Sequence, residues 1–447
     1  MIDPQQATDI VRAALDSGAT DAECTMSEGE EFDATVRMRQ LETLKDAGSR
    51  GAGLRVLVGQ RVGSSYTSDL SSEGVRRLVR QAMENAGITS HDPFAGLPDA
   101  SELGTIGGDL KLYSEDIFNL DTPFRIRQAL ETEQAALAAD ARITNSEGAS
   151  FGAYTGQRIF ANSRGFAGSY RTSSCSLSVA PVAREGDSME RDYWYSSARR
   201  YSALEKPVEI GKKAAERTVR RLHSRKVATR KVPVVFDSLT ARSLIGNIFE
   251  AVEGDSIYRK ASFLEGKLGQ RVASERVTVI DDATIPGLFG TSPFDDEGVP
   301  SRRTVVIERG ILRSYLLNTY TARKLGLKTT GNAARGITGN AGVGHGNLYL
   351  EPGSESPETI IRGVPSGLYV TELIGSGVNI VTGDYSRGAA GLWIENGEFA
   401  YPVSEITIAA TLQEMLVGLE HIGSDLEFRS SVSSPTLLIG EMTVSGS

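Results

Sequence analysis

Apolar residues recur at helical spacing in several stretches of the chain. Ile10, Val11, Ala14 and Leu15 form a stripe behind Asp3-Pro4, an N-cap with proline at the first helical position, and it stops before Gly18. Val75, Leu78, Val79 and Ala82 mark a second helix over 72–86. A third starts at Asp121-Thr122-Pro123 and reaches Ala139, and a fourth runs from Pro207 to His223. Between them the alternation changes to the period of strands: 33–44, 53–66 with a turn near Gly59-Gln60, then 142–150, 153–161 and 165–182. Residues 91–105 read as a Pro/Gly-rich loop. The order strand, turn, strand, helix thus occurs twice, each time with a Val-Arg-Arg-Leu helix segment (Val75 to Leu78, Val219 to Leu222), which hints at a duplication.

Around 224–230 the composition turns basic and polar, which places a domain boundary there and gives domains 1–228 and 229–447. Beyond it a strand at 232–236 and a helix at 238–252 precede a strand-rich region: 277–280, 304–308, 311–316, 369–373, 378–382, 391–395 and 398–403. Arg309-Gly310 and Asn396-Gly397 supply hairpin turns. The fold class expected is α+β: an N-terminal mixed α/β domain and a C-terminal, mostly antiparallel, barrel-like β domain. The segment 368–409 is densest in glycines, paired charges and apolar alternation. Within it, Gly383-Asp384-Tyr385-Ser386-Arg387-Gly388 reads as a polar loop between apolar flanks, either a binding surface or a solvated hairpin turn.

Composition narrows the chemistry. The 447 residues carry a net charge of −9, which argues against direct nucleic-acid binding. The basic run between Arg217 and Lys231 is expected to be the solvated end of a helix. Two cysteines, no basic-then-apolar leader and no apolar run long enough to span a bilayer point to the cytoplasm and no membrane association.

The four histidines are far apart in sequence, so no helix-spaced zinc pair exists, and Cys24 and Cys175 form no metal motif. No metal site is expected in this chain. Nucleophile elbows and phosphate-binding loops are absent too. Asp295-Asp296-Glu297 is a carboxylate cluster suited to a hard cation or simply an acidic turn. His345, in the run Gly-Val-Gly-His-Gly-Asn, is a lone loop histidine expected to be exposed.

The stretch GDYSRGAAGLWIENGEFAYPVSEITIA resembles the C-terminal signature of the TldD/PmbA family, bacterial and archaeal proteins described as peptidases or gyrase modulators. Residues 53–71, 250–272, 294–312 and 330–336 are similar in the same order, so the resemblance spans nearly the whole chain. The TldD-type subunit carries an H-E-x-x-x-H helix that binds zinc and supplies the general base. The matching positions here are Ile245, Gly246 and Glu250, so the chain resembles the metal-free PmbA (TldE) type. The resemblance implies a subunit of a cytoplasmic metallopeptidase that processes unfolded peptides. Its partner would be a TldD-type subunit holding the zinc, in a heterodimer, or a second copy of itself. Alone, such a chain is expected to be inactive. The residues expected to shape the peptide cavity are Thr371, Glu372, Asp384, Tyr385 and Arg387, with Arg387 able to pair a substrate carboxylate and Tyr385 to stack or donate a hydrogen bond. Two other readings stay open: a non-proteolytic binding protein acting on DNA gyrase, and a peptidase site built from Glu250 or Glu253 with His345.

Overall fold

The computed structural model describes residues 2–446. The N-terminal region is one antiparallel sheet of seven strands. Its order is Arg61–Thr67, Gln40–Val58, Asp21–Arg37, Ile143–Asn162, Ala167–Glu185, Ser188–Arg191, with Trp194–Ala198 also pairing to Ala167–Glu185. Four helices cover one face of it. Pro4–Asp16 and Ser72–Ile88 bury Ile10, Val11, Leu78 and Val79 against Cys24, Met26, Leu54 and Ile159. Thr122–Ala139 and Pro207–Val219 bury Ala129, Ala136, Ile210 and Ala214 against Phe32, Phe151, Leu177 and Val179. Each half therefore runs helix, two long strands, helix, in keeping with the duplicated pattern of the sequence.

The strand boundaries depart from the sequence pattern in two ways: the expected strands 142–150 and 153–161 are one strand, Ile143–Asn162, and the first hairpin is longer than its pattern. The expected strand 33–44 is the tip of a hairpin that turns at Met38 and Arg39, both at positive φ (49° and 66°). That turn normally selects Asn or Gly. Here the buried Glu133 carboxylate accepts the N–H of Met38 at 2.9 Å and of Arg39 at 2.7 Å, so a helix holds the turn that local sequence does not.

The C-terminal region contains a closed five-stranded barrel. Glu398–Thr411, Asp384–Glu395, Ser366–Ile374, Arg230–Phe236 and Leu437–Ser445 pair in that order, and the last returns to the first through Ile408 and Val444. Only the pairing of Ser366–Ile374 with Arg230–Phe236 is parallel, and Leu419–Ile422 extends the sheet from Leu437–Ser445. A second sheet, Ile311–Leu312, Arg303–Glu308, Val279–Asp282, Leu348–Leu350 and Val432–Ser433, lies apart from it. Helix Ser238–Val252 sits between the two, capped by Asp237, whose carboxylate accepts the Thr240 N–H at 2.8 Å. Leu244, Ile245 and Ile248 of this helix join Phe236, Leu348 and Trp393 in one core.

Two expected elements change places around residue 383. Residues 375–383 form a loop, not the strand expected at 378–382. The supposed polar loop after Gly383 is instead the start of strand Asp384–Glu395. Backbone pairing across the barrel overrides the local polarity of Asp384, Ser386 and Arg387.

Candidate functional site

The uncovered face of the N-terminal sheet is a polar surface. Along Ala167–Glu185, Cys175, Leu177 and Val179 are buried under helices, so Ser174, Ser176 and Ser178 face the opposite way. Loops of the C-terminal region lean over this face. A Cβ at Gly53 would collide with the carbonyl of Ile337, so only glycine admits that loop. Two adjoining cavities lie in the cleft so formed. One of about 480 Å³ is bounded by Glu31, Tyr154, Ser174, Ser176, Phe289 and Arg429. The other, about 340 Å³, shares Phe289 and is bounded by Tyr170, Arg199, Asp296, Asn332 and His345. Sequence reasoning missed Ser174, Ser176, Tyr170 and Arg199. The serines at every second position of strand Ala167–Glu185 were the available signal.

The junction is fastened by buried ion pairs. Glu23, 1% exposed, meets Arg335 Nη1 at 2.6 Å and Arg55 Nη1 at 2.8 Å. Burial works against the Glu23 charge, but the two guanidiniums hold its carboxyl below the usual range. Arg158 pairs with Asp296 at 2.7 Å. Asp295-Asp296-Glu297 is the acidic turn that the sequence suggests, with its carboxylates engaged by the protein, and no metal-holding group of three is found there among the described residues. Asp295 accepts the N–H groups of Glu297, Val299 and Ala333, and Glu297 accepts that of Thr319. Burial, with Glu297 alongside, pushes Asp295 up to about 8.

The basic run is exposed as expected at Arg225, Lys226, Arg230 and Lys231, but its first part differs from expectation. Arg217 is buried and lies 3.4 Å from Asp192 and 3.5 Å from Asp237, so it ties the N-terminal sheet to the N-cap of helix Ser238–Val252. Arg221 lies between Glu190, Asp192 and Glu372. A helix end that reads as solvated is the second fastening of the domains.

Helix Ser238–Val252 offers the test of a metal. Ile245 is 1% exposed in the core, Gly246 has no side chain, and Glu250 is exposed. Among the described residues no group of three His, Cys, Asp or Glu side chains is placed to hold a metal ion. The residues present do not fit zinc. His345, expected to be free in a loop, is instead half-buried, its ring 4.8 Å from that of Phe249 on this helix and its Nδ1 2.9 Å from the Gly346 carbonyl.

The five residues expected to shape a cavity are not brought together as one wall. Thr371 is buried at a bulge, and Glu372 is taken up by Arg221. Asp384 is exposed and accepts the Thr382 hydroxyl at 2.6 Å. Tyr385 and Arg387 do meet, two residues apart on one strand and therefore on one face. Burial pushes the Tyr385 phenol up to about 12, while the adjacent Arg387 guanidinium and Ser243 hydroxyl draw it down. The pair thus lies against the first half of helix Ser238–Val252.

Among the described residues no helix is long and apolar enough to cross a membrane. Comparison with known proteins gives a consistent result. Residues 22–86, 115–222 and 229–446 match, in turn, domain 1, the central domain and the C-terminal domain of PmbA/TldA metallopeptidases. The chain is 37% identical to a metalloprotease PmbA homolog of Haemophilus influenzae over 98% of its own length and 94% of the relative's. It is 39% identical to the metalloprotease PmbA of Escherichia coli O157:H7, with 97% and 94% covered. A solved Bacteroides thetaiotaomicron structure, described as a proposed modulator of DNA gyrase, superposes with a TM-score of 0.92 at 29% identity, covering 99% of this chain and 98% of that one. TldE of Thermococcus kodakarensis shares the fold, with a TM-score of 0.88 at 21% identity over 99% and 100% of the two chains. The chain belongs to the TldD/PmbA metallopeptidase family.

Proposed function

We propose that this chain is the metal-free, PmbA/TldE-like subunit of a cytoplasmic peptidase complex, and that its interdomain cleft holds unfolded peptide for a zinc-bearing TldD-type partner. The observation that carries the reading is helix Ser238–Val252. It keeps a central place between barrel and second sheet, yet presents Ile245, Gly246 and Glu250 where the partner type bears ligands and base. The polar sheet face and the two cavities suit an extended chain read through its backbone. With a net charge of −9, the partner is a polypeptide rather than nucleic acid.

The test is peptidase activity on an unstructured peptide, with zinc content read on the same samples. This chain alone, a TldD-type homologue alone, and the two co-purified are compared. Activity that needs both chains, with zinc only in the homologue, is the expected result. Cleavage and stoichiometric metal in the lone chain would overturn it. Tight association with gyrase in the absence of a TldD-type chain would favour the non-proteolytic reading.

A further inference from the structure

The smaller of the two cavities, about 340 Å³, has the N-terminal sheet on one side and C-terminal loops on the other. Strand Ala167–Glu185 contributes Tyr170 and Thr172, two residues apart and so on one face. Arg199 follows strand Trp194–Ala198, which pairs with the same strand. Its guanidinium is held by the carbonyls of Leu288, Phe289 and Ser173, at 3.3, 2.8 and 3.3 Å. Carbonyls orient an arginine without cancelling its charge, and Arg199 is in no ion pair among the described residues. In the adjoining cavity, by contrast, Arg429 meets both Glu205 and Glu427. The two carboxyls of the smaller cavity leave no free negative charge for Arg199. Asp296 is paired with Arg158 at 2.7 Å, and Asp295, pushed up to about 8, keeps its proton at neutral pH. Burial pushes the Tyr170 phenol up to about 12, with Asp296 adding to the shift and Arg158 and Arg199 opposing it. The hydroxyl therefore lies among these three groups and remains a donor. Neither it nor the Thr172 hydroxyl is hydrogen-bonded among the described residues, and both side chains are half-buried on the cavity wall.

We infer that this cavity is a carboxylate subsite for the held peptide, built from Arg199, Tyr170 and Thr172. The carboxylate accepts the Arg199 Nη1 hydrogen that no carbonyl takes, and the two hydroxyls donate to it. Because carbonyls fix the guanidinium in advance, little ordering is left to the moment of binding. Phe289 bounds both cavities, so a chain lying in the larger one passes a carboxylate into the smaller beside its ring. The inference rests on the reading of this chain as a peptide-holding subunit and deepens it by naming which peptides are held best. An unmodified polypeptide offers a carboxylate from an acidic side chain or from its C-terminus, and the experiment separates the two.

Binding of unlabelled, N-acetylated, unstructured hexapeptides to the full chain is measured by titration calorimetry. Four are compared: a C-terminal amide with a central glutamine, the same amide with glutamate or with lysine in its place, and the glutamine peptide as the free acid. At least one of the two carboxylate peptides is expected to bind about tenfold tighter than the glutamine amide, as a charge-assisted pair requires. Glutamate ahead of the free acid identifies the side chain as the source, and the reverse order identifies the terminus. Arg199→Gln is expected to abolish the preference, and Tyr170→Phe to reduce it about threefold. Equal binding of all four peptides overturns the subsite and leaves the cleft reading standing. A preference that survives in Arg199→Gln overturns it too, as does tighter binding of the lysine peptide than of either carboxylate. Should Arg199→Gln fail to fold, Tyr170→Phe decides the matter, because it keeps the ring and removes one donor; an undiminished preference then overturns the subsite. Failure of all four peptides, alone and with a TldD-type partner, removes the cleft reading itself, and the subsite falls with it.

Discussion

Glu23, fully buried, and Arg387, half-buried, sit at two contacts of the same molecule that treat charge differently. At Glu23 two guanidiniums converge on one carboxylate oxygen, and Arg55 and Arg335 find further partners in Asn340 and Thr25. At Arg387 the guanidinium has a phenol beside it and no acid. A low-dielectric site penalises an unpaired charge heavily, so the first arrangement is what a structural junction needs. Arg387 is only half-buried, so its charge keeps access to water and does not require an acid.

The sharpest way to break the comparison is to remove the carboxylate that two arginines share. Glu23→Ala leaves Arg55 and Arg335 buried without their acid, and is expected to cost about 3–5 kcal/mol of stability. Chemical denaturation measures it. A loss below about 1 kcal/mol would show that the junction does not depend on that cluster. Sequence gave little warning of this. Glu23 and Arg55 face each other across the first hairpin, but Arg335 joins them only when a C-terminal loop crosses the N-terminal sheet. Arg217 and Arg221 were visible as a basic run, but their acids, Asp192, Asp237 and Glu372, come from three other segments. Helices and the hairpins at Arg309-Gly310 and Asn396-Gly397 were legible, because their signals lie within a few residues. The turn at Met38-Arg39 was not, since Glu133 supplies its stabilisation from afar. Likewise Tyr385 and Arg387 could be singled out from the motif.

A second effect concerns pH. Asp295 lies near 8 because it is buried next to Glu297, although three backbone N–H groups oppose the shift. The folded chain then keeps a proton that the unfolded chain releases near pH 4. Its contribution to stability is complete below about pH 4 and declines as the pH rises to 8, because the folded state binds more protons throughout that window. Burial raises the Glu297 carboxyl too, so it adds to the same decline; Glu297→Gln removes both that contribution and its push on Asp295 while leaving an acceptor for Thr319, and the decline between pH 5 and 8 is expected to flatten. Denaturation midpoints of the two chains across that range check this. Parallel profiles would mean that Glu297 does not set the Asp295 proton.

Arg387→Gln is the counterpart of Glu23→Ala and is expected to be far milder. No ion pair is broken, so stability should change by less than about 1 kcal/mol. A loss comparable to that of Glu23→Ala would place Arg387 among the structural charges and close the distinction between the two contacts.

The smallest effect carries the finest distinction. Gly246 is in the interior of helix Ser238–Val252, where glycine costs roughly 0.5–1 kcal/mol relative to alanine. A Cβ at this position meets nothing within 4 Å, so no clash offsets the gain. Gly246→Ala is therefore expected to raise stability by about that amount. Denaturation midpoints of the two chains check this, and a loss of stability would mean that neighbouring side chains close over the position.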